Sequence, residues 1–305
     1  MRILVTGADG FLGRGLAAAL PQAYPDAQRI VLTDRAFAGP APSGSETISG
    51  DLGDREFLET LLEPGFDLVF HLASVPGGLA EREQDLGHHV NLLAPLALAH
   101  AVAAHRLGAR FVFASSIAVY GDLDERTVTA ETRPAPLLTY GAHKLMTEIL
   151  LSDMTRRGVL SAISLRFPGI VARPVGQSGH GSAFMSQIFH RIAAGEPYDC
   201  PIPAASTCWW MSRKAAVSTL LHAARLASPA WTVVQPPVLR ADLQGVCDAV
   251  CRVTGEQARI RWGDDDNLRR LFGAMPPLDA APALALGFRA DADLDALADA
   301  ALSGD

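Results

Sequence analysis

Cysteine is scarce in this chain, and the four present do not pair by spacing. Cys200, Cys208, Cys247 and Cys251 include no C-x-x-C couple of the kind that builds a zinc or redox site. Cys247 and Cys251 fall four residues apart on an expected helix, so the set reads as buried reduced thiols and no metal is expected. Basic residues are also in deficit: 26 Lys and Arg stand against 33 Asp and Glu, a formal net charge of −7. A broad electrostatic grip on nucleic acid or on an anionic membrane needs a basic face, which excludes both as partners. No apolar run approaches the roughly 20 residues of a spanning helix. The opening Met1-Arg2-Ile3-Leu4-Val5-Thr6-Gly7 is too short for a signal peptide and is interrupted by Gly7, so a cytoplasmic protein is expected. Internal repeats and long polar linkers are absent as well.

What the chain does have is material for a large core: 49% of its 305 residues are hydrophobic and 19% charged. That length suits one domain with an appended lobe. Nearly continuous apolar runs at Arg2–Thr6, Arg29–Thr33, Leu68–His71, Arg110–Ala114 and Leu160–Arg166 read as strands buried on both faces. Helical segments lie between them at Phe11–Leu20, Asp54–Leu62, Asp85–Leu107 and Tyr140–Arg157. The alternation predicts an α/β fold with a doubly wound parallel sheet over residues 1–166. A smaller ligand-binding lobe is expected over 167–305, with 212–235 returning to the sheet. Beyond Arg166 the texture turns rich in Pro, Gly and Ser, with helices expected at Ser182–Ala194, Ser212–Leu226 and Asp242–Thr254, and strands at Trp231–Val234 and Ala258–Trp262.

The first strand runs straight into Gly7-Ala8-Asp9-Gly10-Phe11-Leu12-Gly13. Glycines at this spacing allow a tight turn and let the backbone approach a pyrophosphate closely, while the helix that follows offers free N–H groups and a positive dipole end. A glycine triplet alone is a weak signal; between a strand and a helix it points to a dinucleotide, held by Gly7, Gly10, Phe11, Leu12 and Gly13. Asp34 closes the second strand about 20 residues on, where a carboxylate accepts from ribose hydroxyls and repels a 2′-phosphate. NAD is therefore the expected cofactor. Asp51 and Leu52 follow as contacts to the adenine edge or as a local turn.

Tyr140 and Lys144 stand four residues apart in Tyr140-Gly141-Ala142-His143-Lys144, which puts both side chains on one helix face. A phenol ionises near pH 10, but an adjacent ammonium favours the phenolate and makes it a base near neutrality. Ser115 and Ser116 end the Arg110–Ala114 strand, at the edge where doubly wound sheets meet their ligands. Either serine can orient a reacting hydroxyl.

Together the glycine pattern, the strand-end serine and Tyr-x-x-x-Lys resemble the extended short-chain dehydrogenases/reductases, the NAD-dependent epimerase/dehydratase family, along essentially the whole chain. The resemblance implies a Rossmann fold, Ser116 rather than Ser115 as the orienting serine, Tyr140 as base and Lys144 as its tuning partner. It also implies that Leu72, Ala73 and Ser74 line the cofactor, that Asn91 lies near the site as a contact or a support, and that Phe167 and Gly169 face the cofactor. Gly169 replaces the asparagine with which nucleotide-sugar epimerases hold their substrate, and Ile117-Ala118 lack the acidic pair of dehydratases. Within the family, Ser115-Ser116-Ile117-Ala118-Val119, Cys200-Pro201-Ile202-Pro203, Trp209-Trp210-Met211-Ser212 and Leu286-Gly287-Phe288-Arg289-Ala290-Asp291 resemble the D-erythronate dehydrogenases. That likeness implies oxidation of the C2 hydroxyl of a four-carbon sugar acid, with Pro76, Gly77 and Ser116 beside the substrate. Two departures stand out. Pro76-Gly77-Gly78-Leu79-Ala80-Glu81 replaces a Ser-Gly-Glu-Ala-Glu run, and Thr207 takes the place of an arginine. A buried carboxylate needs a cation, for which Arg173 and His180 are the candidates. Relatives pair through helices equivalent to Asp85–Leu107 and Tyr140–Arg157, so a homodimer is a further expectation. The alternatives are a sugar or nucleotide-sugar epimerase and a non-catalytic nucleotide-sensing module.

Overall fold

The computed structural model describes residues 1–124, 126–174, 181–226 and 231–303, arranged as two compact units. The first comprises Met1–Val119, Leu138–Arg166 and Val217–Val234; the second comprises Tyr120–Leu137, Phe167–Ala216 and Gln235–Asp305.

A seven-stranded sheet runs through the first unit. Its strands are β1 (Arg2–Thr6), β2 (Arg29–Asp34), β3 (Glu46–Ser49), β4 (Leu68–His71), β5 (Arg110–Ser116), β6 (Ser161–Phe167) and the short Val233–Val234. Their order is Val233–Val234, β6, β5, β4, β1, β2, β3; β1 pairs in parallel with β2 and β4, β2 with β3, β4 with β5, and Val233–Val234 with β6. The runs Ile3–Val5, Val31–Leu32, Leu68–Phe70 and Phe111–Phe113 are almost wholly buried, as two-sided coverage by helices demands. The helices are α1 (Phe11–Ala23), α2 (Arg55–Leu62), α3 (Gly77–Arg82), α4 (Gln84–His88), α5 (Ala94–His105) and α6 (Thr139–Arg156). The strand order reverses between β1 and β4, so their carboxyl ends open the crevice where such sheets take ligands.

One helix differs from expectation. The stretch expected as a single helix over Asp85–Leu107 is broken by a π turn at His89–Leu93 between α4 and α5. Pro95, in the first turn of α5, has no N–H to give the preceding turn, so the ladder changes register there. The consequence falls on Asn91, which lies in the π turn, 2% exposed.

The second unit holds a three-stranded sheet of Leu239–Asp242, Thr207–Ser212 and Gly169–Val171, and a two-stranded one of Ile260–Trp262 and Tyr198–Cys200. Helices Ala183–Ala193, Leu243–Thr254 and Leu294–Leu302 contribute to its core with Trp210, Cys200, Cys208 and Cys247. Cys200, Cys208, Cys247 and Cys251 are free thiols, and burial raises the pKa of the first three. The segment 120–137, which the sequence reading placed with the sheet, groups with this unit because Val128 donates to Pro277 and accepts from Asp279 through backbone bonds of 2.8 Å.

Candidate functional site

The loop after β1 and the start of the helix beyond it need residues without side chains at two positions, Gly7 and Gly13. Gly7 has φ +68°, and a Cβ there would lie 2.5 Å from the Ala73 nitrogen. At Gly13 a Cβ would lie 2.1 Å from the Gly7 carbonyl oxygen. The β1 and β4 exits thus pass in backbone contact, and α1 starts at once with Gly10 as its N-cap. No side chain caps this end and no acidic residue occupies its first turn. Such an end suits an anion.

Asp34 closes β2 with both carboxylate oxygens in use. Oδ2 accepts from the Asp9 N–H at 3.0 Å and Oδ1 from the Arg35 N–H at 2.8 Å. The first bond ties the acid to the glycine loop itself, and each oxygen keeps acceptor capacity. Asp51 Oδ1 accepts from Gly53 N–H at 2.8 Å, the local-turn arrangement, while Leu52 packs against the core.

Behind the Leu72-Ala73-Ser74 loop lies Asn91. Its Oδ1 accepts from the Ser74 hydroxyl at 2.9 Å and the Val75 N–H at 2.8 Å, and its Nδ2 donates to the Val75 carbonyl at 3.1 Å. The amide is committed to shaping that loop. Next to it His71 is 1% exposed, shares a 2.7 Å hydrogen bond with Thr6 Oγ1 and stacks on Phe113 at 5.8 Å. Burial, with the neighbouring Lys144 charge, holds its pKa at about 3, so the ring is neutral.

The pleat of β5 separates its two serines. Ser115 is buried, and its hydroxyl donates to Glu148 at 2.5 Å. Ser116, next along, is half-buried and accepts from the Ala118 N–H at 3.2 Å, which leaves its own proton to direct. On α6, Lys144 is 2% exposed; its Nζ donates to the Ala114 carbonyl at 2.8 Å and lies 5.5 Å from the Tyr140 ring centroid. Burial pulls the Lys144 pKa down to about 7, and the Glu148 carboxylate opposes that fall. The ring of Tyr140 packs beside Gly77, where a Cβ would come 3.5 Å from the tyrosine Cβ. Glu81 of α3 accepts from the Thr139 N–H, fixing the start of the helix that carries Tyr140.

The first unit therefore gathers Gly7, Gly10, Gly13, Asp34, Leu72–Ser74 and Asn91 with Ser116, Tyr140 and Lys144. Phe167, Gly169, Arg173 and Thr207 belong to the second unit, whereas His180 lies outside the described residues. Arg173 donates from Nε to the Ile170 carbonyl at 3.3 Å, and the Thr207 hydroxyl donates to the Met275 carbonyl at 3.1 Å. Met185 fills the space beside Gly169, where a Cβ would lie 2.5 Å from its Cε. Three groups were given no role by sequence: Glu81, Glu148 and Arg166. The one signal for Glu148 was its place one helical turn after Lys144.

The sequence model of the NAD dependent epimerase/dehydratase family matches residues 3–210. The D-erythronate dehydrogenase of Cupriavidus necator is 35% identical over 314 residues, covering 97% of this chain and 96% of that protein. The D-erythronate dehydrogenase of Haemophilus influenzae is 29% identical over 303 residues, 96% of each. Among solved structures, the nucleoside-diphosphate-sugar epimerase from Agrobacterium tumefaciens has a TM-score of 0.88 at 29% identity, covering 98% of this chain and 92% of that one. No described helix is long and apolar enough to cross a membrane.

Proposed function

Because this chain belongs to the NAD-dependent epimerase/dehydratase family, we propose that it is an NAD-dependent dehydrogenase that oxidises the C2 hydroxyl of a small sugar acid of the D-erythronate type. The observation that carries the proposal is Lys144, an ammonium 2% exposed and 5.5 Å from the ring of Tyr140 on one helix face. The residues present fit NAD: Gly7, Gly10 and Gly13 let the turn and the start of α1 close up on backbone, as a pyrophosphate loop requires, Phe11 and Leu12 open α1, and Asp34 suits a ribose diol rather than a 2′-phosphate. Leu72, Ala73 and Ser74 are assigned to its walls, and Asn91 to holding the loop.

NAD supplies the hydride acceptor. Ser116 accepts from Ala118 and directs its own proton at the substrate oxygen, holding the hydroxyl in place. Tyr140 takes the hydroxyl proton as the C2–H bond gives up its hydride, leaving a 2-keto acid. The Lys144 charge favours the phenolate that this step requires. Pro76 and Gly77 border the base, and Arg173 and His180 are the candidate cations for the carboxylate.

The 35% identity to a D-erythronate dehydrogenase over nearly the full length supports this substrate class. A second reading, epimerisation of a sugar nucleotide, is favoured by the 29% identical epimerase structure. Against it, an asparagine at position 169 would have to displace Met185. Mixing the protein with NAD and a panel of four- to six-carbon aldonates, with UDP-sugars alongside, separates the two. NADH formation with D-erythronate or a near relative is expected; isomerised UDP-sugar with no net NADH would replace the dehydrogenase reading. We also propose that two copies pair through the π turn His89–Leu93 with α5 and through α6, since Leu93, Met146 and Ile149 leave apolar side chains exposed there.

A further inference from the structure

Lys144 is not the only buried charge on its helix. One turn on, Glu148 is 2% exposed, and one group from each of two strands closes on it. Arg166 of β6 grips it twofold, Nη2 to Oε2 at 2.7 Å and Nε to Oε1 at 3.1 Å, and Ser115 of β5 donates to Oε1 at 2.5 Å. Burying a carboxylate and a guanidinium is costly, and such a pair is often replaceable by apolar residues without loss of stability. Retaining one here calls for something the charges do.

We propose that Glu148, fixed by Arg166 and Ser115, is a positioning residue that keeps the Lys144 ammonium charged beside Tyr140. This rests on the dehydrogenase reading above. Among the described residues Lys144 makes one hydrogen bond, to the Ala114 carbonyl, and a single carbonyl is a poor exchange for the hydration of an ammonium. The charges able to offset the loss can be surveyed element by element. From β4, His71 is neutral. From β6, Arg166 is itself positive. On α6, Tyr140 carries a negative charge only as the phenolate that Lys144 itself has to favour, and the His143 pKa is lowered by burial and by His88. Glu81 of α3 spends its carboxylate on Thr139 N–H at the start of the helix and acts on His143. On the remaining packed elements, Arg82, Glu83, Asp85, His89, His100 and His105 are exposed, so water screens them. Glu148 is left as the negative charge that opposes the burial of Lys144. The other bonds explain its fixity: a carboxylate held at three points cannot swing away from its neighbour one turn back. They also explain why Ser115 is withheld from the substrate, leaving Ser116.

The test is the pH profile of kcat for NAD reduction, measured on the full chain with saturating NAD. A dehydrogenase of this kind fails on the alkaline side when Lys144 loses its proton. Glu148→Gln keeps the shape and removes the charge, so the alkaline limb is expected to move down by about one pH unit, the scale of one partly screened charge. The KM for NAD should stay within about twofold. Glu148→Asp should restore most of the limb, and Ser115→Ala, which alters no charge, should leave the limb in place. Where Glu148→Gln does not fold, the double variant Glu148→Gln/Arg166→Met leaves neither charge uncompensated; because it also removes a positive charge, a smaller downward move of the limb is expected. A folded variant lacking the Glu148 charge whose activity is merely scaled down at every pH, with its limb unmoved, would overturn the proposal and leave the pair a strut. Failure of the dehydrogenase reading shows differently, as absence of NADH from the parent protein.

Discussion

Tyr140→Phe should lower kcat by about 10²–10⁴-fold, the usual contribution of a positioned general base, while the NAD Kd changes by less than about threefold. The size follows from what the substitution leaves behind. The ring keeps its packing beside Gly77, and Lys144 keeps its bond to Ala114, so the loss is confined to one oxygen. That oxygen is the only proton acceptor the proposed step has. Water reaching the same place would not be turned toward the substrate by Lys144 at a fixed distance. Paired measurement of steady-state turnover and NAD binding by calorimetry separates the two effects. Turnover within a few-fold of the parent would remove Tyr140 from the base role, whatever else the site does.

Gly7→Ala should cost even more in binding, and for a different reason. A methyl group at position 7 meets the Ala73 nitrogen at 2.5 Å and its Cα at 2.7 Å, both backbone atoms that cannot rotate aside. The residue also sits at φ +68°, where an L side chain is strained. Strained backbone and overpacking each cost about 1–3 kcal/mol, and relief requires the β1 and β4 exits to part. Parting them widens the cradle between the glycine loop and Leu72–Ser74. An NAD affinity at least about tenfold weaker is expected, one decade being about 1.4 kcal/mol, together with a lower melting temperature. Parental affinity and stability in this variant would show that the two exits do not pass as closely as described and that the cradle is not set by them.

How much of this could be read before any coordinates follows from the range of the interactions involved. Strands β1 and β4 were bounded correctly because both faces are covered, and an unbroken apolar run is a local signal. The glycine loop and the Tyr140–Lys144 pair are local too, one a turn and the other a single helical step. The strand Thr207–Ser212 was legible only as a family-like signature. The structure gives its ends a reason: the Trp209 indole donates to Pro276 and the Ser212 hydroxyl to Asp291, partners 67 and 79 residues away. The β3 edge, Glu46–Ser49, has mostly exposed residues and no alternation to announce it. The π turn at His89–Leu93 was missed, the stretch being expected as one helix, although Pro95 is a local mark of the break. The Glu148–Arg166 pair left almost none, because an ion pair between a helix and a strand 18 residues on has no spacing rule. In each case what sequence hid was the partner of a side chain rather than its kind.

The central claim is that hydrogen leaves a carbinol carbon as hydride while Tyr140 takes the hydroxyl proton. The most direct measurement uses D-erythronate, or whichever aldonate the panel selects, carrying deuterium at C2, with NAD in ordinary water. The account predicts one deuterium delivered to the reduced cofactor per keto acid formed, on a single face of the ring, and no such transfer by Tyr140→Phe at comparable time. Deuterium found in water, or retained in an isomerised sugar with no reduced cofactor released, would contradict it.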